Sequence, residues 1–204
     1  MNKNNHIKSY CHINEGIVSL NGKAVYENIS PDFASFIKSA YHHFETDYSK
    51  FFKMDNLSKL AFMAAEVLLQ EKSSPEQERN MAIVLSNRAS SLDTDRKYQE
   101  SIADENNFYP SPAVFVYTLP NICIGEISIR HKLHSENSFF IFDAFNADYI
   151  KEYSDSLLDT EKADEVLCGW VDFDEGRYEA FLYIVSHQGS HLHTKEEITR
   201  LYLT

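Results

Sequence analysis

An α/β layered domain is what this sequence predicts, and three observations carry the prediction. Met81 to Leu85 is a short, uninterrupted apolar run, the signature of a strand buried on both faces. Helical periodicity dominates before and after it, from Phe33 to Phe44 and from Phe145 to Leu158. Two further β-rich runs, Val166 to Val171 and Tyr178 to Ser186, flank the turn composition Asp174-Glu175-Gly176 and so read as neighbours. Strands alternating with helices build layered sheets. No internal repeat, low-complexity tract or linker divides residues 1–204, which read as one domain.

Along the chain, Ile7 to Ile13 and Gly16 to Leu20 read as short strands around the turn Asn14-Glu15-Gly16. A helix follows, with Ser30 as cap, Pro31 in its first turn and Asp32 complementing the dipole. Its buried face is Phe33, Phe36, Ile37, Ala40, Tyr41 and Phe44, ending at His42-His43, where a partly charged imidazole suits the dipole. Asp55 caps a second helix through Leu57, Leu60, Ala61, Ala64 and Leu68. Glu71 to Asn80 is a surface loop. After the Met81 strand come a helix over Asp93 to Ala103 and a β-rich run, Ala113 to Leu119. Pro120 to Leu133 fits either period, and Pro120 in a first turn favours helix. Ser138 to Phe142 reads as a buried strand, Phe145 to Leu158 as an amphipathic helix through Tyr149, Ile150, Tyr153 and Leu157. The sequence closes on a polar segment and Ile198 to Leu203.

A chain of this length buries roughly 70% of its unfolded surface. Its 204 residues are 43% hydrophobic and 25% charged, as in a globular protein. No apolar run reaches the ~20 residues that cross a bilayer, and the start lacks a secretory signal, so a cytoplasmic protein is expected. The net charge of −12 disfavours nucleic acid and anionic membrane surfaces as partners. Cys11, Cys123 and Cys168 are odd in number and form no CxxC pair, which indicates buried thiols rather than a disulfide framework or zinc site. With only 6 glycines and neither GxGxxG nor GxxxxGK[ST], nucleotide-binding loops are set aside and no cofactor is expected.

Four collinear pieces carry a family resemblance. Lys53 to Phe62 with Ala64-Ala65-Glu66 looks like R-M-D-x-x-S-x-L-A…AA, and Met81 to Asp95 like a strand and loop V-x-V-V-x-G-T-x-x-G-S-L. Pro120-Asn121, Gly125, Ile127, Ile129-Arg130, Leu133 and Asn137 follow P…LPN…GxIxIR…L.GxN, and Val166 to Asp172 looks like A-L-x-G-G-x-D. Over residues 53 to 172 the chain thus resembles the β-ketoacyl-acyl-carrier-protein synthases. That resemblance implies a thiolase-like half: a mixed, mostly parallel sheet between helices, of which an active enzyme has two.

The resemblance also implies a catalytic cysteine at a strand-to-helix turn, where a helix N-terminus favours thiolate. This chain reads Asp143-Ala144-Phe145 there, without a cysteine. Asp143 suits a helix cap, and Phe142 and Phe145 suit a filled pocket. Ser86-Asn87-Arg88 replaces a glycine-rich turn. The family's second-half histidine motif, H-G-T-G-T, has only a faint echo in His187-Gln188-Gly189-Ser190-His191. The expected role is therefore a non-catalytic, chain-length-factor-like partner in fatty-acid, polyene or polyketide-type assembly. Ketosynthases dimerise through this half, the strand before the nucleophile pairing across a two-fold axis. The implied partner is a second copy or a full-length ketosynthase, with acyl carrier protein met indirectly. The alternatives are an acyl-thioester-processing enzyme using Asp143 with Ser138 or Cys168, and a small-molecule-binding regulatory module.

Other constellations read as structural. His187, His191 and His193 are metal-ligand candidates, since HxH on a strand aims both rings to one face, yet no fourth ligand is nominated. Arg88, Arg96, Lys97, Arg130, His131 and Lys132 could meet an acidic carrier protein but read as solvated surface residues. Asp93 and Asp95 suit the start of a helix rather than an acid/base pair.

Overall fold

The structure, a computed structural model, describes residues 4–29, 32–69, 79–104, 106 and 108–204. Two tight turns open the chain. Glu15-Gly16 joins β1 (His6–Asn14) to β2 (Ile17–Leu20), and Asn21-Gly22 joins β2 to β3 (Lys23–Glu27). Both residues of each turn have positive φ, the geometry that matches the twist of flanking strands.

Helix α1 (Phe33–His43) starts at Asp32, whose carboxylate accepts from the Ser35 N–H at 2.8 Å. The cap is thus Asp32, not the expected Ser30; Ser30 and Pro31 lie outside the described residues, as do positions 71–78 of the expected loop. After a 3-10 helix (Ser49–Lys53), Asp55 accepts from the Ser58 N–H at 2.9 Å at the start of α2 (Asn56–Leu69). Twelve of the fourteen α2 residues are buried, so α2 is a core helix covered all round.

β4 (Met81–Asn87) is wholly buried. Helix α3 (Leu92–Ile102) follows, then α4 (Pro112–Val116), α5 (Ile122–His131), β5 (Asn137–Ile141), α6 (Ala147–Asp159), β6 (Glu165–Asp174), β7 (Arg177–Ser186), β8 (His191–Leu192) and α7 (Lys195–Tyr202). The β-rich run from Ala113 is therefore a short helix. Ser111 Oγ accepts from the Val114 N–H at 3.3 Å, and Pro112 occupies the first turn. These start signals outweigh the β-branched Val114 and Val116.

The strands form one sheet in the order β3-β2-β1-β7-β6-β4-β5, with β8 pairing β1. It is mixed, as expected, but not mostly parallel: among the described residues two pairs are parallel and five antiparallel. Tight turns supply the antiparallel pairs β1–β2, β2–β3 and β6–β7, the antiparallel pairs β1–β7 and β1–β8 join distant segments, and the parallel pairs are β4–β5 and β4–β6.

Strand alternation divides the core. Met81, Ile83 and Leu85 of β4 face one cluster with α1, α2 and α5, while Ala82 and Val84 face another with α6 and α7. The sheet is sealed on both sides. Gly169 on β6, at φ 143°, packs directly against the backbone of β7: an added Cβ would lie 2.0 Å from the Phe181 carbonyl oxygen.

Candidate functional site

In a sheet with parallel strands and crossover helices, chemistry gathers beyond the carboxyl ends of the strands. Here that region is built from the ends of β4, β5 and β6. After β4, Asn87 closes a turn by donating to Ser90 O at 2.8 Å and accepting from the Ser90 N–H at 3.0 Å. Asp172 on β6 accepts from the Arg88 and Ala89 N–H groups at 3.1 and 2.9 Å. The Ser86-Asn87-Arg88 loop is therefore tied down by a carboxylate, with its backbone donors consumed.

At the end of β5 the Phe142 N–H donates to Asn87 O at 2.9 Å, and the chain bends through Asp143-Ala144-Phe145 into α6. Asn146 is the cap, its Oδ1 accepting from the Tyr149 N–H at 3.1 Å. The expectation that Asp143 caps this helix is corrected: the helix starts four residues later, and Asp143 is exposed. Phe145 turns inward, its ring 4.8 Å from Tyr202, 5.8 Å from Phe181 and 6.2 Å from Trp170 between centroids. An open depression of about 430 Å³ remains outside, touched by Asp143, Asn146, Lys195 and Thr199.

The groups considered for an alternative nucleophile do not converge. Ser138 and Cys168 both sit level with Val84, on opposite sides of β4, and Ser138 Oγ lies 2.9 Å from Tyr153 Oη. Asp143 lies five residues beyond Ser138 in the chain, on the order of 17 Å along an extended strand. Cys168 is fully buried, and burial pushes its thiol up to about 12. Burial raises Cys11 and Cys123 likewise, so none of the three supplies thiolate at neutral pH.

The three candidate metal histidines reach three separate partners. His187 Nδ1 lies 2.9 Å from Asn5 Oδ1, His191 Nδ1 2.7 Å from Glu197 Oε1, and His193 Nδ1 2.7 Å from Asp155 Oδ1. Among the described residues no group of three or more His, Cys, Asp or Glu side chains is arranged to hold a metal ion. Burial works to raise the Asp155 carboxyl, but hydrogen bonds from His193 and Lys151 outweigh it and hold Asp155 at about 2. This knot, which the sequence did not signal, ties Asn5, α6 and the segment after β8 together.

The cations near the family-like segments are mostly paired. Arg96 donates to Asp174 at 2.6 Å and Lys97 to Asp93 at 2.6 Å, while Arg88 lies 3.6 Å from Asp172. Arg130 and His131 are not both solvated surface residues, as the sequence suggested. His131 is buried, and both reach buried Glu66 on α2, with Arg130 Nη2 at 2.8 Å and His131 Nε2 at 2.9 Å. A carboxylate 64 residues from Arg130 and next to both in space draws them inward.

β5 is a strand as expected, but not a buried one. It ends the sheet, half-buried, with Ile141 50% exposed. Phe140, Phe142, Tyr149 and Tyr153 form a cluster beside it, with Phe140 4.9 Å from Tyr149 and 5.2 Å from Tyr153. The opposite edge, β3, carries exposed Lys23 and Glu27, charges that blunt an edge against pairing. β5, Asn-Ser-Phe-Phe-Ile, carries neither charge nor proline.

No family model and no curated protein sequence matches the chain. Solved structures do. The ishigamide ketosynthase/chain length factor superposes with a TM-score of 0.61 at 14% identity, over 90% of this chain and 62% of that one. A ketosynthase in complex with its chain length factor from Xenorhabdus doucetiae gives 0.61 at 13%, over 98% and 90%. A β-ketoacyl synthase from Burkholderia phymatum gives 0.58 at 11%, over 90% and 59%. The chain thus spans less than two thirds of the first and third of these chains. Its identifiable character is its architecture: this is the thiolase-like fold of ketosynthases and chain length factors.

Proposed function

We propose that the chain is a non-catalytic, chain-length-factor-like subunit that pairs with a full-length ketosynthase through the open edge of β5. The observation that carries this reading is the turn after β5. It holds no cysteine, its loop partner is clamped by Asp172, and Phe145 occupies the space behind it. The strand leading to that turn nevertheless keeps an uncharged, unprotected edge.

A structural neighbour supports the same reading. A chain covered to 90% by this one belongs to a structure of a ketosynthase in complex with its chain length factor. On this reading residues 1–204 act as one unit in the cytoplasm, in fatty-acid, polyene or polyketide-type assembly. Acyl carrier protein docks on the ketosynthase rather than here, because this subunit carries −12 and several of its cations are already paired. Co-expression with the full-length ketosynthases of its own genome, followed by native mass spectrometry, should yield a stable 1:1 complex. A clean monomer that binds none of them refutes the reading.

A further inference from the structure

α2 reaches solvent at one point beyond its first residue. Of its fourteen positions only Asn56 and Lys59 are not buried, and Lys59 is still partly covered. A lysine so placed lays its stem against protein and turns only its head to water. Side chains on either side of it tie this end of α2 to α3. Thr94 Oγ1 donates to Asp55 Oδ2 at 2.9 Å, and Asn56 Nδ2 donates to Asp93 Oδ2 at 3.4 Å.

The Lys59 head has no carboxylate of its own. Asp55, one turn earlier, spends its other oxygen on the Ser58 N–H at 2.9 Å, and Asp93 takes Lys97 at 2.6 Å. Among the described residues no ion pair within 4.0 Å holds the Lys59 ammonium. Lys8, Lys50, Lys97, Lys151, Lys162 and Lys195, by contrast, are each paired with an acid. Beside Lys59 stands a second cation instead, Lys97. Burial lowers the Lys59 amine from its ordinary value, and Lys97 lowers it further, while Asp55 opposes both without reversing the direction. A lysine lowered in this way holds more free base at neutral pH, and the free base is the nucleophile.

We infer that Lys59 is an acylation site, where the amine takes an acyl group from a small acyl thioester without a second enzyme. The amine attacks the thioester carbonyl carbon and the C–S bond breaks. The thiol leaves with the proton that the nitrogen gives up, and an amide remains. No oxidant, reductant or further reactant enters. The amide is also the better occupant of a partly covered position, because burial disfavours the ammonium. A supply of acyl thioesters belongs to the assembly setting proposed above. The reactivity itself depends only on how α2 and α3 surround the amine.

The test incubates the folded chain alone with S-acetyl-N-acetylcysteamine at neutral pH and follows each lysine by peptide mass mapping. Lys59 should be acetylated about threefold faster or more than exposed Lys23, Lys38 and Lys53, a larger free-base fraction outweighing a somewhat weaker nucleophile. Lys97→Met, with a thermal melt to check the fold, should slow Lys59 and move the midpoint of its rate–pH profile upward, leaving the three exposed lysines unchanged. In urea the advantage of Lys59 should vanish, because the unfolded chain exposes every amine alike. Lys59 reacting no faster than the exposed lysines overturns the inference, and so does an advantage that persists in urea. A Lys59 rate unmoved by Lys97→Met overturns it as well. Each readout uses the chain alone, so failure here leaves the ketosynthase pairing standing, and a chain that binds no ketosynthase leaves this reactivity standing.

Discussion

Ile141→Pro is the sharpest perturbation of the proposed pairing. In the β4–β5 ladder the Ile83 N–H donates to Glu136 O and the Phe142 N–H to Asn87 O. Even-numbered residues of this stretch therefore bond to β4, and alternation turns the N–H and C=O groups of Asn137, Phe139 and Ile141 outward. Proline at 141 removes one outward donor and leaves the β4 ladder intact, and its fixed φ suits an edge strand. A partner strand would keep one carbonyl unpaired, at about 1–3 kcal/mol, and would lose the net ~1 kcal/mol of the bond itself. A total of about 2–4 kcal/mol raises Kd by roughly 30- to 1,000-fold. Calorimetric titration against the ketosynthase measures this, and a melt of the free chain checks the fold. Val25→Pro, at the bulge of the opposite edge, is the control and should leave Kd unchanged. Unaltered binding by Ile141→Pro, with the fold intact, would refute pairing through β5.

Further expectations concern the site's construction. Asn146→Ala should cost about 1 kcal/mol in denaturant unfolding, while Asp143→Ala should stay within about 0.5 kcal/mol, because Asn146 is the residue that caps α6. Phe145→Ala should destabilise by about 1–3 kcal/mol, less than a fully buried phenylalanine, and should confer no condensing activity in an acyl-thioester assay. Asp155 is depressed to about 2. Its contribution is present above the unfolded-state value near 4 and is lost as pH falls from about 4 toward 2. Asp155→Asn should accordingly lose about 1–2 kcal/mol at neutral pH and show a flatter acid unfolding curve, read by circular dichroism. Gly169→Ala should cost at least about 3 kcal/mol in a thermal melt, since its Cβ would meet backbone at 2.0 Å and the strands cannot yield locally.

Local signals carried the sequence reading as far as local physics decides structure. The apolar run of β4, the Asp55 cap and a helix after Pro120 all depend on residues close in the chain, and all are found, although α5 begins at Ile122 and Pro120 precedes its cap instead of lying in its first turn. β3 went unread although Asn21-Gly22 is a strong hairpin signal, because Lys23 to Glu27 is short and little of it is buried. α4 departs from the β-rich expectation because Val114, Phe115 and Val116 favour strands while its helical start rests on one hydroxyl and one proline. The position of β5 at the sheet edge is set by topology alone. Its Phe139-Phe140-Ile141 looks like core because an apolar strand reads the same whether a domain or a partner covers it. Arg130 and His131 carry no sign of Glu66 at a separation of 64 residues. The lack of a cysteine in Asp143-Ala144-Phe145, by contrast, is plain, since residue identity needs no coordinates.

The sealing of the sheet by α6 and α7 has a kinetic meaning. Ile198 and Leu201 of α7 are fully buried against the face that α6 covers, so both large apolar faces are occupied before any partner arrives. What is left to exchange is an edge. Assembly then becomes an encounter between finished surfaces, governed by concentration and collision rate rather than by a shared folding step. The amount of complex in the cell would track how much of each subunit is made, and diluting it should release a folded chain.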